Sequence, residues 1–141
     1  MVEENLKAAL IVDKMYNHDP FSQWLGIKRV ADGAGKSVLQ LEIREEMLNG
    51  FAIAHGGIAY ALADSALAFA ANGHGQIAMS IETSIAHTKQ VKLGDLLTAT
   101  AEEESLTTKT GIYIVRIKNQ RKELVALFKG TVYRTSKTWE I

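Results

Sequence analysis

The chain has 141 residues, 47% apolar and 23% charged, enough to bury one continuous core without disulfides or a metal. Sixteen basic residues cancel sixteen acidic ones, so no global field favours nucleic acid or an anionic membrane, although a local basic rim beside a pocket stays open. Cysteine is absent, which excludes disulfides, thiolate metal ligands and a cysteine nucleophile.

From the N-terminus, Glu3 to Tyr16 reads as an amphipathic helix with Leu6 and Leu10 inward and Lys7 and Lys14 outward. Asp19-Pro20 stops it, and Phe21, Trp24 and Leu25 are expected to dock this entry onto the body. Leu25 to Val30 reads as a short strand and Asp32 to Gly35 as a turn. Ser37 to Arg44 alternates, with Leu39, Leu41 and Ile43 on the buried side. After a loop from Glu45 to Ala54 comes an apolar helix, about Gly57 to Asn72, stopped by Asn72-Gly73-His74-Gly75.

Everything beyond reads as strand: Ile77 to Thr88, Asp95 to Ser105, Thr108 to Asn119 and Leu124 to Thr135. Gln120 to Glu123 forms a polar hairpin connection. The single proline precedes the first strand, so it interrupts none. Short connections favour antiparallel pairing. A helix apolar on nearly all sides needs cover all round, and a curved sheet wrapped about it supplies that. The expected class is α+β, in one domain over residues 1–141. Met1 to Asn17 lacks the continuous apolar core of a signal peptide, and the apolar run from Gly56 to Ala71 is too short to span a membrane. A cytoplasmic location, without membrane, is the default expectation.

Between Ile58 and Ala71, Asp64 is the one acid, with Ser65 and Tyr60 the other polar side chains. A lone buried carboxylate costs several kcal/mol or more, and Asp64 lies too far into the helix to cap it. Two readings remain open. The commoner is a structural acid paired with a base or hydroxyl from a neighbouring strand or subunit. The other is a nucleophile or general base at a cleft, tuned by partial desolvation. His55-Gly56-Gly57 favours the second, because amides at a helix start are unpaired donors at the positive end of the helix dipole. They would polarise a carbonyl and stabilise the oxyanion formed on attack.

The segments Asn49-Gly50, His55-Gly56-Gly57, Leu62 to Ala66 and Ala71-Asn72 resemble the phenylacetic acid degradation (PaaI) thioesterase family of hotdog-fold proteins. The likeness continues through Lys92 to Asp95, Leu97 to Ala101, Lys109 to Gly111 and Val125 to Gly130, covering about Leu41 to Arg134. It implies a hotdog fold: a curved antiparallel sheet around one long central helix, here with an added N-terminal helix. It implies hydrolysis of acyl- or aryl-acetyl-coenzyme A without metal or cofactor, coenzyme A being part of the substrate. By position, Asp64 matches the attacking or water-activating acid, the Gly56 amide, with Gly57, the polarising donor, and His55 and Asn49 the polar frame. Ser65 and Ser80 match second-tier hydroxyl positions. The resemblance also implies a homodimer as the active unit, with acid and helix start from different subunits, and commonly a homotetramer. His87-Thr88-Lys89-Gln90 departs from the family's usual aromatic-basic-proline pattern, which puts a phenylacetyl preference in question.

Lys89, Lys92, Lys129 and Arg134 are candidates for the coenzyme A phosphates, against the plainer reading of solvated faces. His74 is expected to face solvent, and His87 to pack or line a pocket wall rather than ligate metal. Glu102 to Glu104 reads as an exposed strand end, and no Gly-x-Ser-x-Gly supports a serine hydrolase. A non-catalytic acyl-coenzyme A-binding module and a hotdog hydratase are the alternatives to hydrolysis.

Overall fold

The computed structural model describes residues 2–141. Helix α1 (Val2–Asn17) is followed by a short helix α2 (Pro20–Leu25), strands β1 (Lys28–Gly33) and β2 (Lys36–Glu42), and a 3-10 turn at Glu45–Met47. Then come the long helix α3 (Gly56–Asn72) and strands β3 (Gln76–His87), β4 (Leu96–Leu106), β5 (Thr110–Lys118) and β6 (Leu124–Thr138). The strands form one sheet in the order β1-β2-β4-β5-β6-β3, every neighbouring pair antiparallel. This is the hotdog architecture. No helix among the described residues is long and apolar enough to cross a membrane.

The core lies between α3 and the inner face of the sheet. Strand alternation puts Leu39 and Leu41 of β2, Leu97 and Ala99 of β4, and Val115 and Ile117 of β5 inward. Alanines keep α3 thin, and Gly130 on β6 lets it come closer still. A Cβ at Gly130 would stand 2.5 Å from Leu67 Cδ2, inside any permitted contact.

Four expectations for the N-terminal third are corrected. Helix α1 docks through Ala8, Ile11 and Val12, while Leu6 and Leu10 are exposed; the buried stripe lies on a different face of the helix, where Ala8 is fully buried. Asp19-Pro20 ends one helix and starts another. The Asp19 carboxylate accepts the Ser22 amide at 3.0 Å, and proline suits the first helical turn, where its missing N–H costs nothing. That helix buries Leu25 but leaves Phe21 and Trp24 exposed. Consequently β1 starts three residues later than Leu25. His74 is also not solvent-facing: its Nε2 lies 2.6 Å from Glu103 Oε1, which accepts the Tyr113 hydroxyl at 2.9 Å as well. The middle acid of the Glu102–Glu104 run is therefore an internal anchor.

Helix α3 is not covered all round within one chain. Leu62, Ala63, Ala66, Leu67 and Phe69 are buried, while Tyr60 is exposed and Ala61, Asp64 and Ala68 are half-buried. Those four recur at helical spacing and form one open stripe. Beside it, β3 is the edge of the sheet and has a neighbour on one side only.

Candidate functional site

The helix start is built by its capping histidine. His55 sits in extended backbone (φ −59°, ψ 137°) and its Nδ1 accepts the Gly57 amide at 2.9 Å. An accepting Nδ1 carries no proton, so the neutral ring bears its hydrogen on Nε2. The capping bond consumes the Gly57 amide and leaves the Gly56 amide with no bond among the described residues. Of the two glycines, Gly56 thus presents the open donor. Its missing Cβ matters sterically: a Cβ there would stand 3.3 Å from His87 Nε2.

Asn49 organises the loop leading in. Its Oδ1 accepts the Phe51 amide at 2.9 Å, and its own amide bonds the Ile53 carbonyl at 2.8 Å. This folds the loop through Ala52, held at a left-handed φ of 60°. Asn49, His55, Gly56, His87 and Lys89 then line one cleft of about 390 Å³. His87 belongs to its wall, as its sequence context implied. The cleft adjoins a basic rim of Lys89, Lys92 and Arg121 around Glu123. Glu123 lies 3.3 Å from Lys89 and 2.8 Å from Arg121. A hydrogen bond from Asn119, with those two cations, pulls its carboxyl down to about 2.

Asp64 lies elsewhere. It lines a separate cavity of about 350 Å³ with Leu67, Met79, Ser80 and residues from both chain ends. No donor or cation among the described residues bonds its carboxylate, and burial pushes its pKa up from the ordinary aspartate value. The structural reading asked for a partner from a neighbouring strand or subunit, and no neighbouring strand among the described residues supplies one. The separation from Gly56 follows from helix geometry: eight residues at 1.5 Å each put the two about 12 Å apart along the axis. One carbonyl cannot touch both groups of the same chain, since each must come within about 3 Å of it.

The remaining candidates divide. Ser80 shares the Asp64 cavity. Ser65 does not, because its hydroxyl lies 2.8 Å from that of Ser22 and ties α3 to the capped start of α2. Lys129 points from the outer face of the sheet, 3.1 Å from Glu82 on β3, and lines neither cavity. Arg134 donates to the Thr107 carbonyl at 2.7 Å. Sequence reasoning missed Arg121 in the basic rim, since it lies 32 residues beyond Lys89 and the β5–β6 hairpin brings it there. A polar hairpin carrying an arginine was its one visible trace.

Comparison with known proteins agrees with this geometry. Residues 51–126, which include the helix start and Asp64, match the family model described as the thioesterase superfamily. The chain is 36% identical over 124 residues to an Escherichia coli protein named acyl-coenzyme A thioesterase PaaI, spanning 88% of this chain and 89% of that one. It superposes on the structure of the E. coli PaaI protein from the phenylacetic acid degradation operon with a TM-score of 0.93 at 35% identity, covering 95% and 97% of the two chains. A Streptococcus mutans structure bound to acetyl CoA superposes with a TM-score of 0.78 at 27% identity, covering 80% and 91%. Family match, identity and fold agree: the chain belongs to the thioesterase superfamily, as a PaaI-type hotdog thioester hydrolase.

Proposed function

We propose that this protein hydrolyses acyl-coenzyme A thioesters at a site shared between two copies of the chain. The observation that carries the reading is a pair of unmatched groups: an Asp64 carboxylate without an internal partner, and a Gly56 amide without an acceptor, in separate cavities. A second copy related by a two-fold axis joins each to its complement. Two features favour that copy. Strand β3 is a long free edge with Met79 and Ile81 exposed at 58% and 63%, and such an edge invites antiparallel pairing with itself. The open stripe of α3 around Asp64 lies beside it. The family resemblance extends the assembly to a tetramer of two dimers.

In this arrangement the phosphates of coenzyme A meet Lys89, Lys92 and Arg121, and the thioester arm follows the adjoining cleft. The Gly56 amide bonds the thioester carbonyl, while His55 and Asn49 hold that amide and its loop in place. Asp64 of the partner subunit approaches the carbonyl carbon. It either removes a proton from water, which adds to the carbon, or attacks directly to give an anhydride that water opens. Both routes gather negative charge on the carbonyl oxygen, where an aligned amide at a helix start stabilises it. The C–S bond then breaks, and the coenzyme A thiolate takes a proton. Desolvation suits either role, since it makes the carboxylate more basic. Ser80, in the Asp64 cavity, is placed to hydrogen-bond near the acid. Lys129 and Ser65 have no part in it.

Thiol release from a panel of acyl-coenzyme A esters tests this. Asp64→Asn keeps shape and removes charge, and turnover should fall about 100- to 10,000-fold. Wild-type turnover in that variant would contradict the assignment. Tight binding without hydrolysis across the panel would identify a binding module instead.

A further inference from the structure

Away from Asp64 and Ser80, the Asp64 cavity is lined mainly by apolar side chains. Its one buried amide, Asn72, has every polar atom occupied: Nδ2 donates to the Ala68 and Ala78 carbonyls at 2.8 and 3.0 Å, and Oδ1 accepts the Ala78 amide at 2.9 Å and Trp139 Nε1 at 2.8 Å. Asn72 therefore offers a ligand no hydrogen bond and instead fixes the indole of Trp139. The segment around Trp139, beyond β6, is pinned twice more. The Trp139 amide donates to the Gly75 carbonyl at 2.9 Å, and Lys14 Nζ donates to the Glu140 carbonyl at 2.9 Å.

Trp139 and Met15 also line a second cleft of about 440 Å³, whose other walls are Lys14, His18 and Asp19. These two side chains are the only ones common to both spaces. They form a partition between two largely apolar spaces, the chamber on the Asp64 side and the cleft beside Lys14, His18 and Asp19 on the other. Asn72 lies eight residues beyond Asp64 on α3, so the partition stands about 12 Å from the carboxylate along the helix.

Resting on the hydrolase reading above, we infer that this cavity is the acyl chamber and that Trp139, packed with Met15, is its end wall. The wall admits an uncharged apolar acyl group, such as an aromatic ring or a medium-length chain, and stops longer ones. Trp139 is thus a specificity-determining residue contributed by the C-terminal segment. Desolvating an apolar acyl group in the chamber is favourable at about 25 cal/mol per Å², whereas a chain beyond the wall would have to displace the indole.

The test compares wild type, Trp139→Ala and Trp139→Phe on hexanoyl-, lauroyl-, palmitoyl- and phenylacetyl-coenzyme A. The readout is the palmitoyl-to-hexanoyl ratio of kcat/KM within each protein, which does not depend on how much of it is folded. Wild type should discriminate against palmitoyl. Trp139→Ala joins chamber and cleft and should raise the ratio about tenfold or more, while Trp139→Phe keeps a ring in place and should stay near wild type. An unchanged ratio in Trp139→Ala, or a wild type indifferent to length, overturns the inference. A binding arm separates this from failure of the hydrolase reading. In a Trp24→Phe background Trp139 is the sole tryptophan. S-hexyl-coenzyme A, a thioether that cannot be hydrolysed, should change its fluorescence at concentrations where S-hexadecyl-coenzyme A does not. Equal binding of both, or no fluorescence change with S-hexyl-coenzyme A bound, overturns the wall whether or not the protein hydrolyses anything.

Discussion

At Asp64 the requirements of folding and of chemistry oppose one another. Burial raises its pKa, so the folded chain holds the proton more tightly than the unfolded one. The stabilising balance is complete below the unfolded aspartate's ordinary range and is lost as pH rises through the raised folded value. Asp64→Asn should therefore melt higher than wild type near neutral pH, by up to a few degrees, and the gap should close in acid. A scan of melting temperature against pH checks this. The acid limb of kcat/KM should likewise lie above the ordinary aspartate range, near 3.9. Gly56 permits a cleaner substitution than alanine. Proline suits the first position of a helix, and the extended backbone of His55 suits the residue before a proline. Gly56→Pro removes the open amide while keeping a helix-compatible start, and because its Cβ presses on the His87 ring, Gly56→Ala, which adds the same Cβ but keeps the amide, is the control. Turnover of the proline variant should drop about a hundredfold or more, with circular dichroism unchanged. Asp64 and the glycines were legible in the sequence, because a lone acid in an apolar helix and a Gly-Gly start are both unusual. Which amide stays open was not legible, since that depends on where the His55 ring folds.

At the scale of elements, α3 and the sheet explain which parts of the fold could be read in advance. Strands β2, β4, β5 and β6 largely alternate between buried and open positions, and their period is visible in the sequence, whereas the edge strand β3 does not alternate. The N-terminal third was harder because its contacts rely on small residues. Ala8 docks α1, and alanine carries little hydrophobic signal beside Leu6 and Leu10. Likewise Pro20 reads as a stop until Asp19 is seen capping the next turn. Close packing of α3 on β6 gives a direct test. Gly130→Ala would push a methyl into Leu67, and overpacking of this kind costs about 1–3 kcal/mol. Denaturant unfolding should show that loss as a lower midpoint with an unchanged slope. The Trp139 partition was out of reach of the sequence, because it joins both ends of the chain across α3.

At the scale of the whole molecule, a neutral chain still carries a local basic rim. Glu123, held ionised down to about 2 by Asn119, Arg121 and Lys89, offsets part of that charge across the working pH range. Glu123→Gln should lower KM for coenzyme A thioesters several-fold at low salt, and the gain should fade as ionic strength rises and screens exposed charges. The larger question is whether the site is shared. The resemblance already implied that Asp64 and Gly56 come from different subunits, and the helix rise gives the physical reason: one chain cannot bring both to one carbonyl. The most direct measurement mixes Asp64→Asn and Gly56→Pro chains, each inactive alone, by unfolding and refolding them together in equal amounts. In a shared site, every mixed dimer recovers one intact pairing of Asp64 with Gly56, and random assortment restores about a quarter of wild-type activity. A mixture as inactive as its parents, with mixed dimers shown to form, would contradict the account.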